Sequence, residues 1–134
     1  MKAIFQTGYG SPDFFELREI DKPVIKDNEV LVKVHAAALH AGDVYFMRGV
    51  PYMIRLIAGL PRPKKHIPGL DVAGQVEAVG KKVTQFQPGD EVFGSGQSTC
   101  AEYVCIKEKN LLTKPNNLSL EQAAAVPTSA LSAL

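Results

Sequence analysis

The stretch Pro68-Gly-Leu-Asp-Val-Ala-Gly-Gln-Val-Glu-Ala-Val-Gly80 decides the fold. It predicts a strand from Asp71 to Val79, in which Val72 and Val76 supply apolar side chains. Ala73 and Gly74 fit a tightly packed sheet, and Gly80 ends the strand.

Further strands are predicted on both sides of this stretch. From Glu29 to Val34, valines alternate with other residues, which is the period-two pattern of a strand with one core face. The turn at Pro88-Gly89 leads into a strand from Asp90 to Phe93, and another is predicted from Cys100 to Ile106. Because turns and long loops separate these segments, without alternating helices, we expect a mainly β fold with an antiparallel or mixed, barrel-like sheet.

The predicted helices are few and short. Asp43 is expected to cap a helix from Val44 to Arg48, which Gly49 would end. Between Pro51 and Pro61 the apolar residues follow the spacing of an amphipathic helix of about two turns. This second helix either shapes a pocket for an apolar ligand or only covers the sheet.

Two helical patterns follow each other at the end of the chain. Ser119 and Gln122 have the spacing of a capping box that opens a helix from Leu120 to Val126, and Pro127 interrupts it. The next pattern, Ser129 to Leu134, stops without a polar cap, a glycine or a charged final turn. We therefore expect a domain at 1–126, and at 127–134 the truncated start of a connection to a domain that is missing here.

Composition and charge exclude several classes of function. The 134 residues are 46% hydrophobic and 22% charged, as in an average soluble domain, and the net charge of +1 favours neither nucleic acid nor a membrane surface as a partner. The longest apolar stretch, 53–60, contains Arg55 and is far shorter than the roughly 20 residues of a membrane span. The N-terminus turns polar too early for a secretory signal, so we expect a cytoplasmic protein.

The two cysteines, Cys100 and Cys105, fall within one predicted strand. Their odd separation would send them to opposite faces, roughly 16 Å apart at 3.3 Å per residue. That distance excludes a disulfide or a shared metal, so we expect two buried, reduced thiols.

Several motifs in order carry a resemblance to a known family. They are Val30–Val34, His40–Gly49, Pro68–Gly80, Pro88–Phe93, Ala101–Val104 and Ala123–Pro127. Together they resemble the quinone oxidoreductase, or zeta-crystallin-like, branch of the medium-chain dehydrogenases and reductases. The resemblance implies a GroES-like N-terminal domain, which is a partly open barrel with a few short helices.

The resemblance also implies an activity and its partners. The whole enzyme, expected as a homodimer, would transfer hydride between NADPH and a small hydrophobic quinone, enone or carbonyl compound. The reaction would take place in a cleft between this domain and a following Rossmann domain. Gly94–Thr99 is the nearest approach to a phosphate loop, but it has threonine at the third glycine position. The isolated chain is therefore expected neither to bind NADPH tightly nor to turn over.

Three positions in the sequence imply that no catalytic zinc is bound. By the resemblance, zinc-using relatives have a cysteine where His40 stands, a His-Glu pair at Leu70-Asp71, and a further cysteine near Val126 or Pro127. Leucine cannot ligate a metal, and both cysteines are absent. The four closely spaced cysteines of a structural zinc are missing too.

Seven residues are candidates for the site, and the resemblance supports the catalytic pair among them. His40 stands where zinc-free members have an asparagine lining the cleft, and Tyr45 where they have a tyrosine near the nicotinamide; these two are the candidate catalytic residues. The candidate cofactor-binding residues are Thr128 and Ser132. Asp43, Arg48 and Tyr52 are the candidates for the substrate pocket.

Other interpretations stay open beside these assignments. His40 as a structural histidine at a strand end and Tyr45 as a half-buried core aromatic are the alternatives for the catalytic pair. Asp43 as a helix cap and Thr128 or Ser132 as helix surface need no chemistry. For the whole chain, the alternative is a non-enzymatic GroES-like binding or assembly module, or a crystallin-like scaffold.

Overall fold

The computed structural model describes residues 1–39, 41–48 and 67–133, without the side chains of residues 41, 45, 46 and 131–133. In these ranges the strands are β1 (Lys2–Gln6), β2 (Phe15–Glu19), β3 (Glu29–Ala38), β4 (Asp71–Val79), β5 (Glu91–Ser95), β6 (Tyr103–Lys107) and β7 (Leu111–Thr113). The helices are α1 (Ala41–Arg48), α2 (Leu120–Ala124) and α3 (Pro127–Ala133), with single 3-10 turns at Pro12–Phe14 and Glu108–Asn110. No described helix has the length and apolarity needed to cross a membrane.

The strands form two antiparallel sheets. Five of them pair in the order β6-β3-β4-β5-β7, and β1 and β2 form a separate hairpin. A single bridge between Ala3 and Ala101 links the hairpin to the segment before β6. The mainly β fold with a few short helices is confirmed, and the described strands do not close into a barrel.

Strand β4 lies at the centre of the larger sheet and approaches β3 closely. Gly74 pairs with Val34, next to a shift of register between Val34 and Ala36. A Cβ atom on Gly74 would lie 2.1 Å from the carbonyl oxygen of Lys33, so a larger residue would push the two strands apart. The sequence predicted the bounds of β4 correctly, and β3 continues four residues beyond the predicted Val34.

The main core lies on one face of this sheet. It is formed by apolar side chains from the strands and from the loop before β5: Val30, Val32, Val72, Val76, Phe86, Val92, Val104, Ile106 and Leu111. On the other face, Ala123 and Ala124 of α2 pack against Ala73. The alternating valines of β3 therefore mark the core face, as predicted.

The cysteine prediction was wrong in its geometry. The last predicted strand begins at Tyr103, so Cys100 lies outside β6 and only Cys105 lies in it. The backbone N–H of Cys100 donates to the carbonyl of Pro68 (3.0 Å), and its own carbonyl accepts from Ile4 (3.0 Å). These contacts with two other segments hold Cys100 out of the ladder, and both thiols are free and half-buried instead of buried.

The helix predictions were only partly correct. Helix α1 begins at Ala41, so Asp43 lies inside its first turn instead of capping it; an acidic residue there still suits the positive end of the helix dipole. The Ser119 and Gln122 capping box is confirmed, although α2 ends at Ala124. Gly49 and the helix predicted between residues 51 and 61 lie outside the described residues.

Replacing Val72 by alanine tests the core. Val72 is 0% exposed, whereas Val24 is 87% exposed and serves as a matched control. Removing the two buried methyl groups of Val72 should lower the free energy of unfolding by about 2 kcal/mol, through lost apolar burial and a cavity. Urea titration of both variants measures the difference, and a similar loss for Val24→Ala would contradict the assignment of the core.

Candidate functional site

The candidate site lies at one end of the larger sheet. Asp71, the first residue of β4, pairs with Ala38 at the end of β3 and with Ser95 at the end of β5. Three strand ends therefore meet at this level. Helix α1, which contains several of the predicted site residues, starts three residues after Ala38. The chain therefore leaves the sheet beside Asp71 and continues into α1.

Asp71 is a buried carboxylate in contact with α3. It is 1% exposed, its Oδ1 accepts from the Thr128 hydroxyl (2.5 Å) and its Oδ2 accepts from the Thr128 backbone N–H (3.3 Å). A buried ionisable group needs such partners, because an unpaired carboxylate away from water is strongly unfavourable. Asp71 was not among the predicted site residues, although an aspartate opening an otherwise apolar strand is a signal that could have found it.

Thr128 and Ser132 both lie in α3, four residues apart. The Thr128 hydroxyl donates to Asp71 in this structure, so it fastens α3 to the sheet. The side chain of Ser132 is outside the described part. The structure thus brings Thr128, the first turn of α3, to the end of the sheet from which α1 departs.

Helix α1 is held at its last turn by a buried glutamine. Gln6, 4% exposed at the end of β1, donates through Nε2 to the carbonyl oxygens of Met47 (3.1 Å) and Gly8 (2.9 Å). The backbone N–H of Gly10 also donates to Met47 (3.0 Å). The hairpin therefore fixes the orientation of α1. Gln6 was not among the predicted residues, because a polar residue at a strand end is usually solvent-exposed.

The other predicted residues are placed as follows. Asp43 is half-buried in the first turn of α1, and Arg48 is exposed at its end. Tyr45 lies in α1, but its side chain is not among those described. His40 and Tyr52 lie outside the described residues. The structure therefore places Asp43, Tyr45 and Arg48 on one short helix.

The pKa of the Cys100 thiol depends on its burial and on a charge in α1. Burial raises its pKa, and the negative charge of Asp43 raises it further. Burial likewise raises the pKa of Cys105 to about 11, with a smaller contribution from Glu29. Both cysteines are therefore thiols at neutral pH, which makes neither of them a suitable nucleophile.

A tight contact fixes the segment that leads into Asp71. Gly69 has a φ of +103°, and a Cβ atom there would lie 2.2 Å from the hydroxyl oxygen of Thr99. Thr99 is 0% exposed, and its hydroxyl finds no hydrogen-bond partner among the atoms described. In the described ranges, no three His, Cys, Asp or Glu side chains are grouped as a metal site would need.

The fold and this site define the class of protein. The family model described as alcohol dehydrogenase GroES-like domain matches residues 26–116, and the chain belongs to that family. It is 36% identical to a quinone oxidoreductase from Sus scrofa, over 94% of this chain and 37% of the relative. It is also 36% identical to an NADPH-dependent alkenal/one oxidoreductase from Arabidopsis thaliana, over 95% of this chain and 34% of the relative.

A solved structure agrees with these sequence relatives. The quinone oxidoreductase from Coxiella burnetii superimposes with a TM-score of 0.88 at 32% identity, covering 99% of this chain and 43% of that one. The chain thus spans less than half the length of these relatives. The matches confirm the resemblance to the quinone oxidoreductase branch.

Replacing Gln6 by methionine tests how α1 is held. The change keeps the length of the side chain but removes the donor to Met47, so we expect the free energy of unfolding to fall by about 1 to 3 kcal/mol. Gln85→Met at an exposed position is the control and should change it little. Equal effects of the two changes in urea unfolding would mean that the buried hydrogen bond does not stabilise the fold.

The pKa of Cys105 can be tested by its reactivity. At pH 8 a thiol with a pKa near 11 has about a hundredfold less thiolate than one with the ordinary value near 9. In a Cys100→Ser variant, the alkylation rate should still rise about tenfold per pH unit between pH 8 and 9.5. Mass spectrometry measures this rate, and the urea-unfolded variant is the control. A plateau near pH 9 in the folded variant would contradict the raised pKa.

Proposed function

We propose that this domain forms the substrate side of the active site of an NADPH-dependent oxidoreductase. The enzyme reduces a small hydrophobic quinone, enone or carbonyl compound by hydride transfer, without zinc. The observation that carries the proposal is the meeting of α1, the start of β4 and α3 at one end of the sheet, in a chain of this family. The names of the relatives support the reaction class.

The nucleotide is assigned to a further domain. The 134 residues contain no glycine-rich phosphate loop, and the chain spans 34–43% of the relatives compared above. NADPH, when bound, supplies the hydride. Within this domain, α3 and the residues around Tyr45 are the groups we assign to the nicotinamide end, because α3 is fastened where α1 begins. The name of the Arabidopsis relative supports NADPH as the reductant.

The absence of zinc in the proposal rests on the donor set. Leu70 has no ligand atom, and both oxygens of Asp71 already accept hydrogen bonds from Thr128. Negative charge that develops on the substrate oxygen must then be stabilised by hydrogen bonds. We assign this role to His40, which can also supply a proton near neutral pH. Quinones and enones are already activated and need only modest stabilisation of this negative charge, which favours them as substrates.

The test uses the protein in which this domain is followed by its nucleotide-binding domain. Purified without added metal, it should oxidise NADPH in the presence of a benzoquinone, as followed by absorbance at 340 nm, and its rate should persist in EDTA. The 134-residue chain alone should show no turnover. Stoichiometric zinc by plasma mass spectrometry, together with loss of activity in EDTA, would contradict the proposal.

Two variants of His40 test its role. Asparagine keeps a hydrogen-bond donor, whereas leucine removes it, so kcat should fall by about tenfold to a hundredfold more in His40→Leu than in His40→Asn. Circular dichroism verifies that both variants are folded. Identical kcat values for the two variants would assign His40 a structural role.

A further inference from the structure

Asp71 is a buried acidic residue at the start of a strand. The next two residues of β4, Val72 and Ala73, are buried and apolar, yet this position carries a carboxylate that is 1% exposed. A buried charge is unfavourable unless its partners compensate for it, so the contacts of Asp71 indicate its role.

Both described hydrogen bonds of Asp71 come from one residue of α3. The hydroxyl and the backbone N–H of Thr128 each donate to a different carboxylate oxygen. Hydrogen bonds to an ionised carboxylate are stronger than those between neutral groups, and two of them fix both position and orientation. Asp71 therefore holds the first turn of α3 in one defined place.

The segment containing α2 and α3 has a second attachment on the same strand. Ala123 and Ala124 of α2 pack against Ala73, two residues after Asp71. Residues two apart in a strand point to the same side of a sheet, so both attachments lie on one face of β4. The alanine contact is apolar and not directional, whereas the Asp71 contact is directional. The orientation of α3 therefore depends mainly on Asp71.

We infer that Asp71 is a positioning residue for the proposed hydride transfer. It acts through Thr128, and sets where Ser132, one turn further along α3, lies relative to the start of α1. The inference rests on the proposed function, because it assigns α3 to the nicotinamide end of the site. Asp71 itself touches neither substrate nor cofactor in this assignment.

The test removes the hydroxyl of Thr128 and leaves the carboxylate of Asp71 in place. Asp71→Asn is the direct variant, but it disturbs a buried strand residue, so Thr128→Val and Thr128→Ser form the decisive pair. Valine has the shape of threonine without the hydroxyl, and serine keeps the hydroxyl. Thr84→Val, at an exposed position, is the control for the substitution itself.

The first measurement is amide hydrogen exchange in the 134-residue chain. Ala130 donates to the carbonyl of Val126 (2.8 Å) in the first turn of α3, and Ala123 donates to Ser119 (2.9 Å) in α2. Thr128→Val should speed exchange of Ala130 about tenfold and leave Ala123 within about twofold. Thr128→Ser should restore the original rate. No change in Ala130, or equal changes in the serine and valine variants, overturns the inference.

The second measurement is steady-state kinetics in the protein that includes the nucleotide-binding domain. Thr128→Val should lower kcat about tenfold and change KM for NADPH less than twofold, because α3 orients the reacting ring while most of the nucleotide is held elsewhere. Thr128→Ser should recover kcat. Faster exchange with unchanged kcat would overturn the positioning role while leaving the proposed function intact. A wild-type protein that does not oxidise NADPH would overturn both.

Discussion

The close pairing of β3 with β4 is the constraint on which the rest of the structure depends. At Gly74 the two backbones are so near that a Cβ atom would lie 2.1 Å from the carbonyl oxygen of Lys33. This pairing aligns Val32 with Val76 on the core face and brings Ala38 level with Asp71 at the end of the sheet. Since α1 follows β3 almost at once, the same register that builds the core also brings α1 to the site.

Buried polar groups then orient the helices that the sheet positions. Asp71 holds α3 through Thr128, and Gln6 holds the last turn of α1 through the carbonyl of Met47. Each lies at a strand end and reaches a helix that is distant in sequence. Apolar packing brings helix and sheet together, but it has little directionality, whereas hydrogen bonds in a buried setting select one orientation. Two single polar side chains therefore determine how the elements around the candidate site are oriented.

Local features could be predicted well from the sequence, whereas contacts between distant segments could not. The limits of β4, the core face of β3 and the capping box at Ser119 follow from patterns within about ten residues. Cys100 was assigned to a strand because its neighbours are apolar, yet its N–H donates to the carbonyl of Pro68 and its carbonyl accepts from Ile4, and these bonds hold it outside. Asp43 was taken for a cap because its residue type favours that position, and the helix starts two residues earlier. Local preference is a weak guide wherever distant segments compete for the same backbone groups.

By itself the sequence determined the mainly β class, the family and the candidate residues, because alternation, turn residues and ordered motifs are written in neighbouring positions. Only the tertiary structure decided which of those residues meet. It joined Asp71 to Thr128 across 57 positions of chain and Gln6 to Met47 across 41. Such pairs leave no periodic pattern in the sequence, because each is a single hydrogen bond. Strand register and helix placement decide which two residues meet, and the neighbours of each residue in the sequence do not.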